Sequence, residues 1–178
     1  NLNTVGCYIY ADSTPPTVEP GTISNPIIIP GFPFIDTNTT RTSHGTDEFN
    51  YYNCASAVNE SGREISYQFT IVESGTLSVV VDCDGQVDID IHLLTALDED
   101  SCLIRDHTDF TYWLDVGTYY LTCDTYVSSG TELMGDYTLT CTFEPDVSPV
   151  PTLSYAGLVV LCGFLSLFVV GARRRFPQ

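Results

Sequence analysis

The stretch from Ile65 to Leu94, ISYQFTIVESGTLSVVVDCDGQVDIDIHLL, decides the fold of this chain. Apolar and polar residues alternate in three parts of it, and glycine-containing turns at 73–75 and 84–85 separate those parts. Such alternation is typical of strands that bury one face and leave the other face polar. The stretch therefore predicts three short, half-buried β-strands in succession.

The same alternation returns at 119–123 and 137–143, and no stretch before residue 150 has a convincing period of 3.6 residues. Short strands at this spacing favour an antiparallel β-sandwich or jelly roll. We therefore expect an all-β domain over residues 25–145, preceded by an extended arm at 1–24 whose prolines forbid a helix. The residues predicted to face the core are Tyr67, Phe69, Ile71, Leu77, Val79, Val81, Val87, Ile89, Ile91, Leu93, Tyr119, Leu121, Cys123, Tyr137, Leu139, Cys141 and Phe143.

The C-terminal segment has the composition of a membrane anchor. The residues at 153–172 form an uncharged run of 20, which as a helix would span the ~30 Å hydrocarbon core of a bilayer. Residues 173–178 follow as a basic tail that begins with Arg173, Arg174 and Arg175. By the positive-inside rule we expect this tail in the cytoplasm and the all-β domain on the other side of the membrane.

This topology predicts a protein of the bacterial cytoplasmic membrane with a periplasmic N-terminal domain. The first residue is Asn1, and we expect that a signal peptide has already been removed. Residues 146–152 are a proline-rich linker, and the membrane helix begins at Leu153. Gly157 and Gly163 would let a second helix approach closely, although glycine is also simply tolerated in membrane helices.

The charge of the chain is strongly acidic. The part before the anchor carries 23 acidic residues against Arg41, Arg63 and Arg105, a net charge of −20. Such a domain repels phosphate backbones, so nucleic acid is excluded as a partner. Calcium and basic soluble proteins are better candidate partners, and adaptation for solubility is the simpler alternative.

The cysteine count predicts disulfides. Six of the seven cysteines lie before the anchor, and an even number in an exported chain is typical of disulfide bonding. Strand parity places Cys83 with the inward residues, and it places Cys123 and Cys141 inward on two strands interpreted as one hairpin. Six cysteines allow 15 connectivities. The preferred pairs are Cys123–Cys141, Cys83–Cys102 and Cys7–Cys54.

The acidic residues around the third strand are the candidate metal ligands. Asp82, Asp84, Asp88 and Asp90 fall within nine residues, and carboxylates at the end of a hairpin can bind calcium. The alternative, which we favour, is a solvated acidic edge, with His92 on the same polar strand face. No catalytic or phosphate-binding motif occurs, so we expect no enzymatic activity and no cofactor beyond calcium.

Four short motifs occur in a fixed order along the domain. They are YQF at 67–69, DIDIHL at 88–93, GTYY at 117–120 and YTL at 137–139. In this order they resemble the bacterial pre-peptidase C-terminal domain, whose pattern has DLDLYL where this chain has DIDIHL. The resemblance covers residues 25–145 and implies a compact, non-catalytic β-sandwich that accompanies secreted enzymes or surface proteins.

The C-terminus resembles a second known class. A VPTLS box at 150–154 precedes the apolar run and the arginines, as in the IPTL-CTERM sorting signals related to PEP-CTERM tails. The chain departs from that class at 155–157, where YAG replaces the common Glu-Trp-Gly. The resemblance implies a bacterial surface protein that an exosortase-like membrane enzyme processes.

Together these features predict a non-enzymatic, single-pass membrane protein. We expect its acidic β-sandwich to act as an accessory or stabilising subunit of a larger membrane complex, in contact with other subunits and with the bilayer. A surface protein processed at its tail is one alternative. A calcium- or carbohydrate-binding module is another, with Tyr112, Trp113 and Tyr126 as candidate sugar-stacking residues.

Overall fold

The structure is a computed structural model that describes residues 19–41 and 45–146. The described part consists of β-strands, which confirms the all-β prediction there. The strands are β1 (Ile27–Ile28), β2 (Phe34–Thr39), β3 (Glu64–Ile71), β4 (Gly75–Cys83), β5 (Ile89–Leu94), β6 (Cys102–Asp106), β7 (Asp109–Leu114), β8 (Gly117–Thr125), β9 (Val127–Ser128), β10 (Thr131–Glu132) and β11 (Asp136–Pro145). Single 3-10 turns lie at Asn53–Ala55 and Glu99–Ser101.

The strands form two large sheets and one small ribbon. Sheet I has the order β1-β3-β8-β5-β6, sheet II has the order β2-β11-β4-β7, and β9 pairs with β10. The strand pairs within the two sheets are antiparallel except β1, which runs parallel to β3. The chain passes from β4 in sheet II to β5 in sheet I through a turn where Gly85 adopts a φ of +67°, which L side chains rarely do.

The inward faces of the two sheets share one hydrophobic core, so the domain is a β-sandwich. Each residue predicted to face the core is buried in it or packs against it, because period-2 alternation puts every second side chain on the same face. Sheet I contributes Ile65, Tyr67, Phe69, Ile71, Ile89, Ile91, Leu93, Leu121 and Cys123; sheet II contributes Leu77, Val79, Val81, Phe110, Leu114, Tyr137, Leu139 and Cys141.

A segment at residues 45–63, here called the strap, covers the outer face of sheet I. Its first part is held by two backbone hydrogen bonds between Thr46 and Glu64, of 2.8 and 3.1 Å. Its middle is held by a disulfide between Cys54 and Cys102, the first residue of β6. The strap therefore adds a third layer to part of the sandwich.

A second, smaller core lies between the strap and sheet I. Phe49 and Tyr52 of the strap are buried against Leu94 of β5. Their rings meet edge to face, with centroids 5.5 Å apart, a favourable aromatic geometry. This contact anchors the strap on the sheet independently of the disulfide.

The disulfide pairing corrects two predictions. Cys102 pairs with Cys54, so the predicted pairs Cys83–Cys102 and Cys7–Cys54 are wrong. Cys83 lies on β4 in sheet II, whereas Cys102 begins the edge strand of sheet I, where the strap brings Cys54. Cys83 is a free, half-buried thiol, and Cys7 lies outside the described residues.

The predicted hairpin of Cys123 and Cys141 is also wrong. Cys123 lies on β8 of sheet I and Cys141 on β11 of sheet II, so the two strands are not neighbours. Both thiols are free and buried in the core between the sheets. Inward parity was correct, but parity does not say which sheet a strand joins.

Several predictions fall outside the described residues. These are the first 18 residues of the arm, nearly all of the linker, the membrane helix at 153–172 with Leu153, Gly157 and Gly163, and the tail with Arg173, Arg174 and Arg175. Within the ranges that are described, no helix has the length and apolar character to cross a membrane.

Candidate functional site

Three carboxyl groups lie side by side on the outer face of sheet I. Glu64 of β3 is directly opposite Asp124 of β8, and Asp124 is directly opposite Asp90 of β5. All three residues are fully buried under the strap. Direct cross-strand partners have Cβ atoms about 5 Å apart, and like charges at that position destabilise a sheet. We call these three residues the carboxyl row.

A second row of polar side chains runs beside the first. It consists of Ser66, Thr122, His92 and Arg105, one from each of four adjacent strands. The His92 ring stacks on the Tyr52 ring of the strap, with centroids 3.6 Å apart and planes inclined by 16°. This stacking fixes the imidazole between the strap and the sheet.

The strap contributes a fourth buried carboxyl. One oxygen of Glu60, Oε1, lies 3.6 Å from His92 Nε2 and 3.7 Å from Arg105 Nε. Arg105 also forms an ion pair with Asp90 Oδ2. Arg105 therefore bridges a carboxyl on the strap and a carboxyl on the sheet.

Hydroxyl groups of the strap bind the other two members of the carboxyl row. Tyr52 OH donates a 2.8 Å hydrogen bond to Asp124 Oδ2, and Thr46 Oγ1 donates one of 2.5 Å to Glu64 Oε1. The amide of Glu48 also donates to Glu64 Oε1, at 3.3 Å. The strap is thus joined to each member of the row.

Many polar atoms in this region have no hydrogen-bond partner among the described residues, although they are buried. Most buried polar atoms in proteins are paired, so protons, ordered water or a bound group must satisfy a concentration of unpaired ones. The atoms are Glu60 Oε1 and Oε2, Ser66 Oγ, Asp90 Oδ1, His92 Nδ1 and Nε2, Arg105 Nε, Thr122 Oγ1 and Asp124 Oδ1.

The electrostatics of the site favour neutral carboxyls. Burial raises the pKa of Asp90 and of Glu64, each to about 7. Burial also raises the pKa of Glu60, and it raises that of Asp124 well above its usual range, with the charge of Glu64 adding to the shift. Burial lowers the pKa of His92 to about 3, so its ring is neutral. Four carboxyls therefore face one permanent cation.

The carboxyls of this arrangement can bind protons. In the part of the chain that the structure describes, no three His, Cys, Asp or Glu side chains are grouped as metal ligands. Protons can bind these carboxyls where they stand, because burial raises the pKa of each one. The geometry therefore favours proton binding.

The structure does not bring the four predicted calcium ligands together. Asp82 and Asp84 are exposed at the end of β4 in sheet II, where they line an open cavity of about 220 Å³ with Asp136. Asp88 is half-buried just before β5, and Asp90 is buried in sheet I. The predicted solvated edge is also wrong for Asp90, because the strap covers it.

Sequence reasoning missed Glu60, Glu64, Asp124 and Arg105. The one available signal was that Asp124 and Glu64 each adjoin an inward apolar residue, which places them outward on their strands. Their juxtaposition depends on strand register, which the sequence does not reveal. The predicted aromatic patch is not formed by β7, because Tyr112 packs against the core while Trp113 is 51% exposed.

Comparison with known proteins finds likeness only among solved structures. No protein-family model and no curated protein matches the chain. It is similar to the pre-peptidase C-terminal domain of a collagenase from Bacillus anthracis, at 12% identity and a TM-score of 0.45 over 72% of this chain and 100% of that one. It is also similar to PliG, a periplasmic inhibitor of g-type lysozyme from Aeromonas hydrophila, at 8% identity and a TM-score of 0.43, over 71% and 98%.

A third similar structure is a cycloisomaltooligosaccharide glucanotransferase from Paenibacillus sp.. It is 13% identical, with a TM-score of 0.29 over 60% of this chain and 17% of that chain. Likeness at these values assigns no activity, ligand or partner.

Proposed function

We propose that this chain is a non-enzymatic, single-pass membrane protein whose extracytoplasmic β-sandwich binds other subunits of a bacterial membrane complex. In this proposal the sandwich is a module of the pre-peptidase C-terminal type, and the C-terminal segment anchors it. The apolar run at 153–172 and the arginines after it support the anchor. The disulfide supports a location outside the cytoplasm.

The observation that carries the binding role is the uncovered outer face of sheet II. Within the described residues no segment packs on this face, whereas the strap covers the corresponding face of sheet I. Three large apolar side chains stand on it: Ile35 is 68% exposed, Val80 46% and Trp113 51%. The register spreads them over the face, because Thr140 lies between Ile35 and Val80, and Trp113 is opposite Thr76. An uncovered sheet face that carries an exposed aromatic side chain is a candidate protein interaction surface.

The charged residues of this face indicate the chemistry of the partner. Asp82, Asp109 and Glu144 occupy exposed positions on the same face, and no basic residue lies on β4, β7 or β11. The outward positions in the middle of β11, between strands β2 and β4, are threonines: Thr138, Thr140 and Thr142. The surface therefore fits a protein with exposed apolar and basic side chains, because opposite charges speed association and fix its register.

The test compares two variants that each truncate an exposed side chain to alanine, one on the proposed surface and one outside it. Trp113→Ala removes an exposed ring from the proposed surface, and Val72→Ala removes a side chain that is 79% exposed in the turn between β3 and β4. After cross-linking in native membranes and gentle detergent extraction, we expect the cross-linked partner band of Trp113→Ala to be at least about tenfold weaker than that of the wild type. Equal retention in both variants would refute binding through this face.

An intact-mass measurement of the native protein separates this proposal from the surface-protein alternative. A mass that includes Gln178 supports a retained anchor. A chain that ends near residue 150 would show that the tail is processed. That result would support a released surface protein and contradict the membrane-subunit proposal.

A further inference from the structure

We propose that the carboxyl row and Glu60 form a proton-binding site that operates the strap as a latch. The strap is docked on sheet I when the carboxyls hold protons, and it loosens when they ionise. The inference goes beyond the proposed function, because the strap lies on sheet I and the proposed docking face belongs to sheet II.

The geometry leaves the site short of positive charge. Arg105 forms ion pairs with Asp90 and Glu60, and among the described residues no cation forms an ion pair with Asp124 or Glu64. The titratable or charged groups that face the site are Glu64 from β3, Asp124 from β8, Asp90 and His92 from β5, Asp88 before β5, Arg105 from β6, and Asp47, Tyr52 and Glu60 from the strap. Protons are the simplest means of neutralising this excess of buried acid.

The imidazole does not take the place of those protons. His92 is fully buried between the Tyr52 ring and the sheet, and Arg105 lies close to it. Both conditions keep the ring neutral near neutral pH. The groups that change charge in that range are therefore carboxyls.

The strap depends on these carboxyls for much of its polar contact with the sheet. Thr46 and Tyr52 bind the row through their hydroxyls, and Glu60 reaches it through Arg105. The hydrogen bonds from Thr46 and Tyr52 favour ionised carboxyls, but burial favours the protonated form more strongly and raises the pKa of Glu64 and Asp124. Ionisation of both Glu60 and Asp90 would leave two negative charges and one cation, Arg105, at the boundary between strap and sheet. The Cys54–Cys102 bond would limit the opening to a local displacement.

The direction of the effect follows from proton uptake. At acidic pH the carboxyls are neutral, and the strap stays closed over them. As the pH rises through neutrality, the row releases protons, like charges accumulate under the strap, and water enters to solvate them. Backbone amides of the strap should then exchange with solvent faster than intrinsic chemistry accounts for.

The experiment is hydrogen–deuterium exchange of the full chain in detergent, at about pH 5.5 and about pH 8.5, corrected for intrinsic exchange rates. We expect the corrected protection of strap amides in the wild-type protein to fall by at least about tenfold at the higher pH, since one pKa unit corresponds to tenfold. Glu64→Gln keeps the shape of a row side chain without its charge, at a carboxyl whose pKa of about 7 lies inside this range, and it should weaken this dependence.

The control variant is Asp82→Asn, which neutralises an exposed carboxyl on sheet II and should keep the wild-type pH dependence. Protection of β11 amides verifies that each variant is folded, and Asp90→Asn replaces Glu64→Gln if that variant is not. The proposal is overturned if wild-type strap protection does not change with pH, or if the folded row variant responds like the wild type. It is also overturned if calcium alone restores full protection at the higher pH, because the site would then bind a cation.

Discussion

Removal of the disulfide offers the most direct quantitative test of the fold. The Cys54–Cys102 bond closes a loop with a sequence separation of 48 residues. In the chain-entropy description, a loop of that length corresponds to about 4 kcal/mol of stabilisation at 25 °C, through the constraint on the unfolded chain. We therefore expect the double variant Cys54→Ser/Cys102→Ser to lose about 4 kcal/mol of its free energy of unfolding.

The assay is urea unfolding of the full chain followed by the fluorescence of Trp113, the single tryptophan. Wild-type protein treated with reductant should match the double variant, and reductant should leave the double variant unchanged. A loss below about 1 kcal/mol would refute the reasoning, because loop closure would then contribute little. A further loss when the double variant is reduced would reveal a second disulfide, which the described structure lacks.

Two further predictions concern the strap. In Gly62→Ala the new Cβ would lie 2.3 Å from the carbonyl oxygen of Thr125, so we expect a loss of at least about 2 kcal/mol in thermal unfolding. Gly31→Ala, with no atom within 4 Å, should stay within about 0.5 kcal/mol, and equal losses would contradict the close approach. The raised pKa values of Glu64 and Asp90, both about 7, mean that the native state binds more protons than the unfolded state between about pH 4 and 7. Stability should therefore fall by a few kcal/mol across that window and then level off, and a melting temperature that rises instead would contradict the burial of these acids.

The sandwich core could be predicted because its signal is local. In the series Leu77, Val79 and Val81, every second residue is apolar. A strand with one buried face shows this pattern because successive side chains point to opposite faces. Such a series predicts which side chains face inward without knowledge of the neighbouring strands. Inward parity was correct even for Cys123 and Cys141, although their pairing was not.

The candidate site could not be predicted because its signal is non-local. The alternation in β5 indicates that Asp90 and His92 do not face the main core. The face of a sheet opposite the core usually contacts solvent. A covering strap satisfies the same pattern. The row also joins Glu64 to Asp124, which are 60 positions apart in the sequence, and only strand register brings them together.

The position of the disulfide can be explained by the ionisation of the carboxyls that the strap covers. The sandwich core is complete without the strap, so the buried acids add nothing to it, and replacing buried charges by apolar groups is often neutral or stabilising. The covalent bond holds the strap at the edge strand beside Arg105, where ionised Glu60 and Asp90 would repel each other. Its local effect should therefore depend on pH. In acid the protonated row keeps the strap closed even without the bond, whereas above neutrality the bond prevents a loosened strap from leaving the sheet.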